Sequence, residues 1–187
     1  MTADEPTAAL HDDALRLLRG WQADPEQEQT RLRYVGHLEA EPSGMTRACF
    51  PDHVTASTLI VSADHERVLL TLHAKARAWF QMGGHCEPED TTLAGAALRE
   101  AVEESGVHDL ALDPDPVQLS PHDVPFCSPR GVVQHLDVRF VAVAPEEATH
   151  ATSVESLDVR WWPADELPTR EPNLLDLVTR ARKRLAG

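Results

Sequence analysis

Glu100, Glu103 and Glu104 place three carboxylates within five consecutive residues of the segment LREAVEESG. At helical spacing these are positions i, i+3 and i+4, so all three side chains lie on one face of a helix. Three oxygen-bearing side chains on one rigid face suit hard divalent cations such as Mg²⁺ or Mn²⁺. Runs of charge are more often solvated helix faces, and the spacing alone does not decide between a cation site and a solvated surface.

The chain is strongly acidic, with 187 residues, a formal net charge of -14 at pH 7 and an isoelectric point near 5.0. This charge opposes binding to nucleic-acid backbones and anionic membranes, so we expect neither as a partner. An acidic enzyme that handles a phosphorylated ligand needs metal ions to offset its own charge. The sequence shows no signal peptide, no apolar run of transmembrane length and no C-x-x-C pair. We therefore expect a cytoplasmic protein without a disulfide framework.

A helix of about residues 92–105 must carry the three carboxylates, and Gly106 is well suited to end it. Asp90 or Thr91 can cap its start. The two β-rich runs HVTASTLIVS and RVLLTLHA predict an antiparallel pair, and AWFQMGGH predicts a short strand that breaks at its two glycines. Later strands are predicted at GVVQHLDVRFVAVA and SLDVRWWPA.

Helices are predicted at both ends of the chain. Apolar residues at helical spacing indicate two N-terminal helices, the second of which would bury Leu32, Val35 and Leu38. The amphipathic segment NLLDLVTRARKRLA predicts a C-terminal helix. Strands around an inner helix, with helices at both ends, indicate an α/β or α+β fold.

The segment Gly83–Val107 resembles the Nudix box, G-x5-E-x7-R-E-U-x-E-E-x-G-U, in which U is an aliphatic residue. The matching residues are Gly84, Arg99, Glu100, Glu103, Glu104, Gly106 and Val107. Fourteen residues rather than thirteen separate Gly84 from Arg99, so the position of the early glutamate falls on Asp90 or, counted back from the arginine, on Thr91. The residue that braces Arg99 is therefore left open.

The resemblance extends over about Val54 to Pro168 and implies a Nudix fold, a mixed-sheet α/β/α sandwich. Residues 51–187 are then assigned to a Nudix hydrolase domain. Residues 1–50 are assigned to an N-terminal helical extension packed on the core, which either covers the cleft or serves a homodimer interface.

The family further implies a Mg²⁺- or Mn²⁺-dependent pyrophosphohydrolase in which water attacks phosphorus. Its substrate is a small-molecule phosphoanhydride, a nucleoside diphosphate linked to another group. By this resemblance Glu100, Glu103 and Glu104, with the backbone carbonyl of Gly84, are predicted to bind the metal. Glu100 and Glu103 are also the leading catalytic candidates, Glu100 as a further ligand or general base. Arg99 is predicted to brace the box through Asp90 or a ligating glutamate.

Outside the box the candidates are weaker. In the strand HLDVRF, Asp137 and Arg139 share one face, which in a Nudix sheet can look into the substrate cleft. This makes Asp137 the leading second catalytic acid and Arg139 a candidate for substrate binding, although a solvated strand face fits the pattern equally well. His85 and Arg47 are further candidates for contacting a phosphate, against simpler surface or packing roles. The loop residues Glu146 and Glu147 are alternative general bases.

Two rival functions remain open at this stage. Isopentenyl-diphosphate isomerases share the Nudix fold and use a cysteine with glutamates, for which Cys49 is the nearest candidate. A Nudix-fold module can also sense a nucleotide without cleaving it, but such modules often lose box glutamates, and all three are present here.

Overall fold

The computed structural model describes residues 8–152 and 156–187. In chain order its elements are α1 (Ala8–Gly20), α2 (Pro25–Ala40), β1 (Asp52–Val61), β2 (Arg67–His73), β3 (Trp79–Phe80), β4 (Met82–His85), α3 (Leu93–Ser105), β5 (Ala111–Leu112), β6 (Gln118–Ser128), β7 (Gly131–Val143), β8 (Ser156–Pro163) and α4 (Pro172–Leu185). No helix in these two ranges is long and apolar enough to cross a membrane.

Strand β1 organises a mixed eight-stranded sheet. One edge of β1 pairs antiparallel with β4 and then with β2, while the other edge pairs in parallel with β7. Strands β5 and β6 extend the sheet from β7, and β3 and β8 extend it from β2. Helix α3 packs on one face of the sheet and α4 on the other. The predicted α/β/α sandwich and the predicted antiparallel β1–β2 pair are both confirmed.

The alternation of side chains along β1 explains the two layers and the position of the cleft. Ala56 faces the core that includes α3. Leu59 and Val61, on the other face, pack in the cluster that includes α4. Thr55 and Ser57 lie on that second face nearer the start of the strand, where they line a cleft instead of a core. The polar start of an otherwise apolar strand face therefore marks the cleft.

The N-terminal helices pack against the α3 side of the sheet, in one apolar cluster with β1 and β7. Asp13 of α1 accepts a hydrogen bond at 2.8 Å from the backbone N–H of Leu93, the first residue of α3. The prediction that Leu32 is buried is wrong, because α2 turns Tyr34 and Leu38 to the core and leaves Leu32 49% exposed.

Two strands differ from the sequence-based prediction. Strand β4 does not break at its glycines but continues through them, with Gly83 opposite Ser57 and Gly84 opposite Ala56. Strand β6 was not predicted, because its two prolines interrupt any strand pattern. It is nevertheless paired with β7 along most of its length. Within the described residues β6 pairs with β7 alone, and prolines are tolerated in such an edge position.

Helix α3 begins one residue later than predicted, and neither Asp90 nor Thr91 is its N-cap. Thr92 has that role, since its hydroxyl accepts from the backbone N–H of Gly95 at 3.1 Å. The predicted end is confirmed, because Gly106 adopts the left-handed conformation with φ of 68°.

We expect the substitution Gly83→Ala to lower the free energy of unfolding by about 1–3 kcal/mol, the usual cost of overpacking. An added Cβ would lie 2.2 Å from Ser57 Cβ and 2.6 Å from Ser57 Cα, and a paired backbone cannot move aside cheaply. Denaturant unfolding measures the change. The control Gly36→Ala has no atom within 4 Å of its new Cβ and should stabilise helix α2 by up to about 1 kcal/mol. Equal stability of the two variants would contradict the close approach of β4 to β1.

Candidate active site

The three carboxylates of α3 are not equivalent, because the helix presses two of them against strand β4. Glu104 is 8% exposed, and its Oε2 accepts a hydrogen bond from the backbone N–H of Gly83 at 2.9 Å. The Oε2 atom of Glu100 lies 2.7 Å from the position that a Cβ on Gly84 would occupy. The side chain of Glu103 is 56% exposed. The face is thus a partly buried carboxylate cluster against two glycines and not a solvated surface.

Burial has an electrostatic cost at this face. It raises the pKa of Glu100 to about 7, and the neighbouring Glu103 adds to this effect while Arg99 opposes it. An additional cation would lower the repulsion among the carboxylates. The donor set consists of hard oxygen atoms on a rigid helix and strand, which fits Mg²⁺ or Mn²⁺ better than softer metals.

Arg99 holds the box together through four groups. Its guanidinium makes a two-pronged contact with Asp90, Nε donating to Oδ1 at 3.1 Å and Nη2 to Oδ2 at 2.9 Å. Nη2 also donates to the backbone carbonyl of His85 at 3.0 Å. Nη1 donates to Glu100 at 3.0 Å and to Glu103 at 3.1 Å. Of the two residues to which the box spacing pointed, Asp90 is the one that bonds to the Arg99 guanidinium, through both of its carboxylate oxygens.

A cleft of about 400 Å³ opens beside the carboxylate cluster, and Gly83, Gly84 and Glu104 form one of its borders. Its floor is the polar face of the sheet, where β7 lies between β1 and β6. The residues predicted on one face of β7 all line it. The floor also contains residues that sequence reasoning missed, namely Thr55, Ser57, Gln81, His122 and Cys127. His53, also missed, is fully buried beside His85 and His135.

Asp137 is the most completely bonded group on this floor. Its carboxylate accepts from Thr55 Oγ1 at 3.1 Å, Ser57 Oγ at 2.8 Å, Gln81 Nε2 at 3.3 Å and Arg139 Nε at 2.8 Å. Burial acts to raise the pKa of Asp137, but the Arg139 guanidinium, with His122 and the hydrogen bond from Ser57, outweighs it and the pKa is lowered. A carboxylate that stays ionised with its lone pairs occupied is suited to fixing other groups in place.

His85 lies at the junction of the box and the cleft. Its ring contacts those of His53 and His135, at centroid distances of 5.1 and 4.9 Å. Burial, with the charges that the neighbouring rings would carry, lowers the pKa of His85 and of His135 to about 3, so both rings are neutral at pH 7. Arg47 is exposed and lines the cleft.

Several rival candidates lie away from the cleft. Burial raises the pKa of the Cys49 thiol and raises that of Cys86 to about 12, and neither residue lines the cleft. This gives no support to Cys49 as the cysteine of an isomerase. Glu146 lines a separate hollow beside Ser62 and the end of β7.

A scan for known protein families matches the NUDIX domain over residues 51–184. A sequence search among curated proteins finds no match.

Three solved structures with the same fold illustrate the likeness. The NUDIX-family hydrolase of Clostridium perfringens is 24% identical, with a TM-score of 0.56 over 71% of this chain and 97% of that one. The dihydroneopterin triphosphate pyrophosphohydrolase of E. coli is 22% identical, with a TM-score of 0.57 over 70% of this chain and 95% of that one. The NUDIX domain of NrtR from Shewanella oneidensis, solved with ADP ribose, is 24% identical, with a TM-score of 0.54 over 74% of this chain and 92% of that one.

The family match covers most of the chain, the solved structures share its fold, and the box residues meet at one border of a cleft. The chain therefore belongs to the NUDIX domain family, and the prediction of a Nudix hydrolase is confirmed.

Proposed function

We propose that this protein is a Mg²⁺- or Mn²⁺-dependent pyrophosphohydrolase that cleaves a nucleoside diphosphate joined to another group. The observation that carries the proposal is the carboxylate cluster of α3, held against Gly83 and Gly84 at the border of a cleft. When bound there, the cation neutralises phosphate oxygens and lowers the pKa of a water molecule for attack on phosphorus. We assign Glu100, Glu103, Glu104 and the carbonyl of Gly84 as its ligands.

The remaining residues position these ligands and the substrate. Arg99 and Asp90 fix the loop relative to α3 through their two-pronged contact. Arg47, exposed in the cleft lining, is the cation that we propose for a substrate phosphate. Arg139 is 5% exposed and bonded to Asp137, so we assign this pair to holding the floor rather than to proton transfer.

The proposed substrate class is supported by the chemistry of the box residues and by the compounds named for two relatives. One relative acts on dihydroneopterin triphosphate and another was solved with ADP ribose, both of which contain a phosphoanhydride. A suitable panel adds nucleoside triphosphates, dinucleoside polyphosphates, NADH, nucleotide sugars and isopentenyl diphosphate. Purified protein is incubated with each compound and with Mg²⁺ or Mn²⁺.

We expect release of phosphate, pyrophosphate or a nucleotide from at least one phosphoanhydride, and its loss in Glu103→Gln. The substitution keeps the side-chain shape but removes the charge that binds the cation. Glu89→Gln makes the same change at an exposed position of the box loop and should keep the activity.

The same panel separates the rival functions. If every compound remains intact while some raise the melting temperature, the protein is a sensor. A double-bond shift in isopentenyl diphosphate without phosphate release would indicate an isomerase. Either result contradicts the proposed hydrolysis.

We expect Asp90→Asn to lower kcat/KM by about 10–100-fold, as is usual for groups that orient metal ligands. An amide offers Arg99 only one acceptor, so the guanidinium loses its two-pronged contact. The concentration of Mg²⁺ that gives half-maximal activity should also be higher in Asp90→Asn than in the unaltered protein. Unfolding of part of the sample would lower the activity without changing this concentration. Thr91→Ala is the control, because the box spacing allowed either Asp90 or Thr91 as the partner of Arg99. Thr91 is exposed, so its substitution should be tolerated. An equal loss in both variants would argue against Asp90 as the brace.

We expect Asp137→Asn to lower the free energy of unfolding by about 3–5 kcal/mol, because it leaves the buried Arg139 without its counter-charge. Asp123→Asn, at an exposed position of β6, should change it by less than about 0.5 kcal/mol. In the unaltered protein, ionised Asp137 makes its full contribution to the free energy of unfolding above about pH 3.9, the pKa of an aspartate in the unfolded chain. That contribution is lost as the pH falls through the lower pKa that Asp137 has in the folded protein. Full stability with lost activity would instead favour Asp137 as a catalytic acid.

A further inference from the structure

Four side chains from four strands converge beside the cleft. They are His53 of β1, His85 of β4, Cys127 of β6 and His135 of β7, which we call the His/Cys cluster. One ligand atom from each lies within 4.8 Å of all the others. His53 is fully buried and the other three are partly buried. None of the four belongs to the carboxylate cluster of α3.

Three of the six distances within the cluster are close to the edges of a tetrahedral metal site. His85 Nε2 lies 3.1 Å from His53 Nε2 and 3.5 Å from Cys127 Sγ, and His135 Nε2 lies 3.3 Å from that sulfur. With Zn–N near 2.05 Å and Zn–S near 2.3 Å, a tetrahedron has N···N edges of about 3.3 Å and N···S edges of about 3.6 Å. The other three distances are no longer than 4.8 Å, so small side-chain shifts would let the four atoms surround one small ion.

The sheet fixes this arrangement. His53 is paired directly with His135 in the parallel β1–β7 ladder, and β4 brings His85 alongside the same part of β1. The Nδ1 atom of His53 lies 3.2 Å from the carbonyl oxygen of Cys49. A ring that donates its Nδ1–H to a carbonyl keeps its Nε2 lone pair free, which is the usual second contact of a metal-binding histidine. Here that lone pair points into the cluster.

We propose that His53, His85, His135 and Cys127 bind one Zn²⁺ ion. Imidazole nitrogens with a thiolate favour zinc over Mg²⁺ or Mn²⁺, which prefer oxygen ligands. On binding, the Cys127 thiol releases its proton to solvent and a Zn–S bond replaces the S–H bond. Four protein ligands leave no open position, so the ion has a structural role.

The site would connect β6 to the start of the box. The ring of His85 belongs to the cluster, while its backbone carbonyl accepts from Arg99 at 3.0 Å. Zinc held by this ring would therefore limit the movement of a residue that also orients Arg99. The proposal stands independently of the hydrolase activity, because it shares no ligand with the carboxylate site.

The test is zinc binding by the purified 187-residue chain. After removal of bound metal with a chelator, addition of excess Zn²⁺ and dialysis, we expect one Zn²⁺ per chain by elemental analysis, with its affinity measured by competition with a chromophoric chelator. Cys127→Ser and His135→Gln should each weaken zinc binding by more than about 100-fold. Loss of a group that only orients a ligand usually weakens metal binding by about 10–100-fold, so a larger loss indicates a ligand. His122→Gln is the matched control, since its ring lies 5.6 Å from that of His135 but outside the cluster.

Cobalt substitution gives a readout that does not depend on any variant folding. Co²⁺ in the unaltered protein should show intense visible bands of tetrahedral geometry and a thiolate-to-cobalt charge-transfer band. Absence of that band, or zinc binding no tighter than in Cys127→Ser, would show that the cluster is only hydrogen-bonded and would overturn the proposal. Zinc binding that survives in Glu103→Gln supports it, whereas loss of binding there would place the ion at the carboxylates.

Discussion

The close approach of β4 to its neighbours at Gly83 and Gly84 is the constraint on which the site depends. A side chain at Gly83 would collide with Ser57 of β1, and one at Gly84 would collide with Glu100 of α3. Because both side chains are absent, α3 can lie directly on the strand and place two carboxylates against its backbone. The repulsion among the carboxylates is tolerated because the N–H of Gly83 and the guanidinium of Arg99 bond to them.

The same strand separates two kinds of donor atom. Successive residues of a strand point to opposite faces, and Gly84 meets the oxygen atoms of Glu100 while His85 turns its ring toward three nitrogen and sulfur donors. Hard and borderline-soft donors are thereby kept apart by one peptide unit, with the cleft adjoining both. With both proposed cations bound, such a division would let one small domain discriminate between them by ligand type rather than by overall affinity.

Local patterns were sufficient to predict the parts of the site that lie on one element. The spacing of the glutamates and the glycine at position 106 predicted α3 and its end, and the period of two in HLDVRF predicted which side chains share a face. Sequence spacing could not decide between Asp90 and Thr91 as the partner of Arg99, because that depends on the course of the loop. His53 and Cys127 were missed because their relevance depends on strand register. Cys127 also lies in β6, whose prolines hide the strand. One signal was available in the sequence: His53, Thr55 and Ser57 are polar residues at alternate positions of β1, as Asp137 and Arg139 are in β7.

The parallel pairing of β1 with β7 also has a consequence for the order in which the molecule assembles. Thr55 and Asp137, which meet on the cleft floor, are 82 residues apart in the chain. Contacts of such long range are slow to form, because the entropy of closing the intervening loop is lost before the contacts are gained. During synthesis β2, β4 and α3 leave the ribosome before β7, so one edge of β1 can pair early while its other edge stays unpaired until β7 is released. The cleft is therefore a late product of folding, completed only when the two halves of the chain have met.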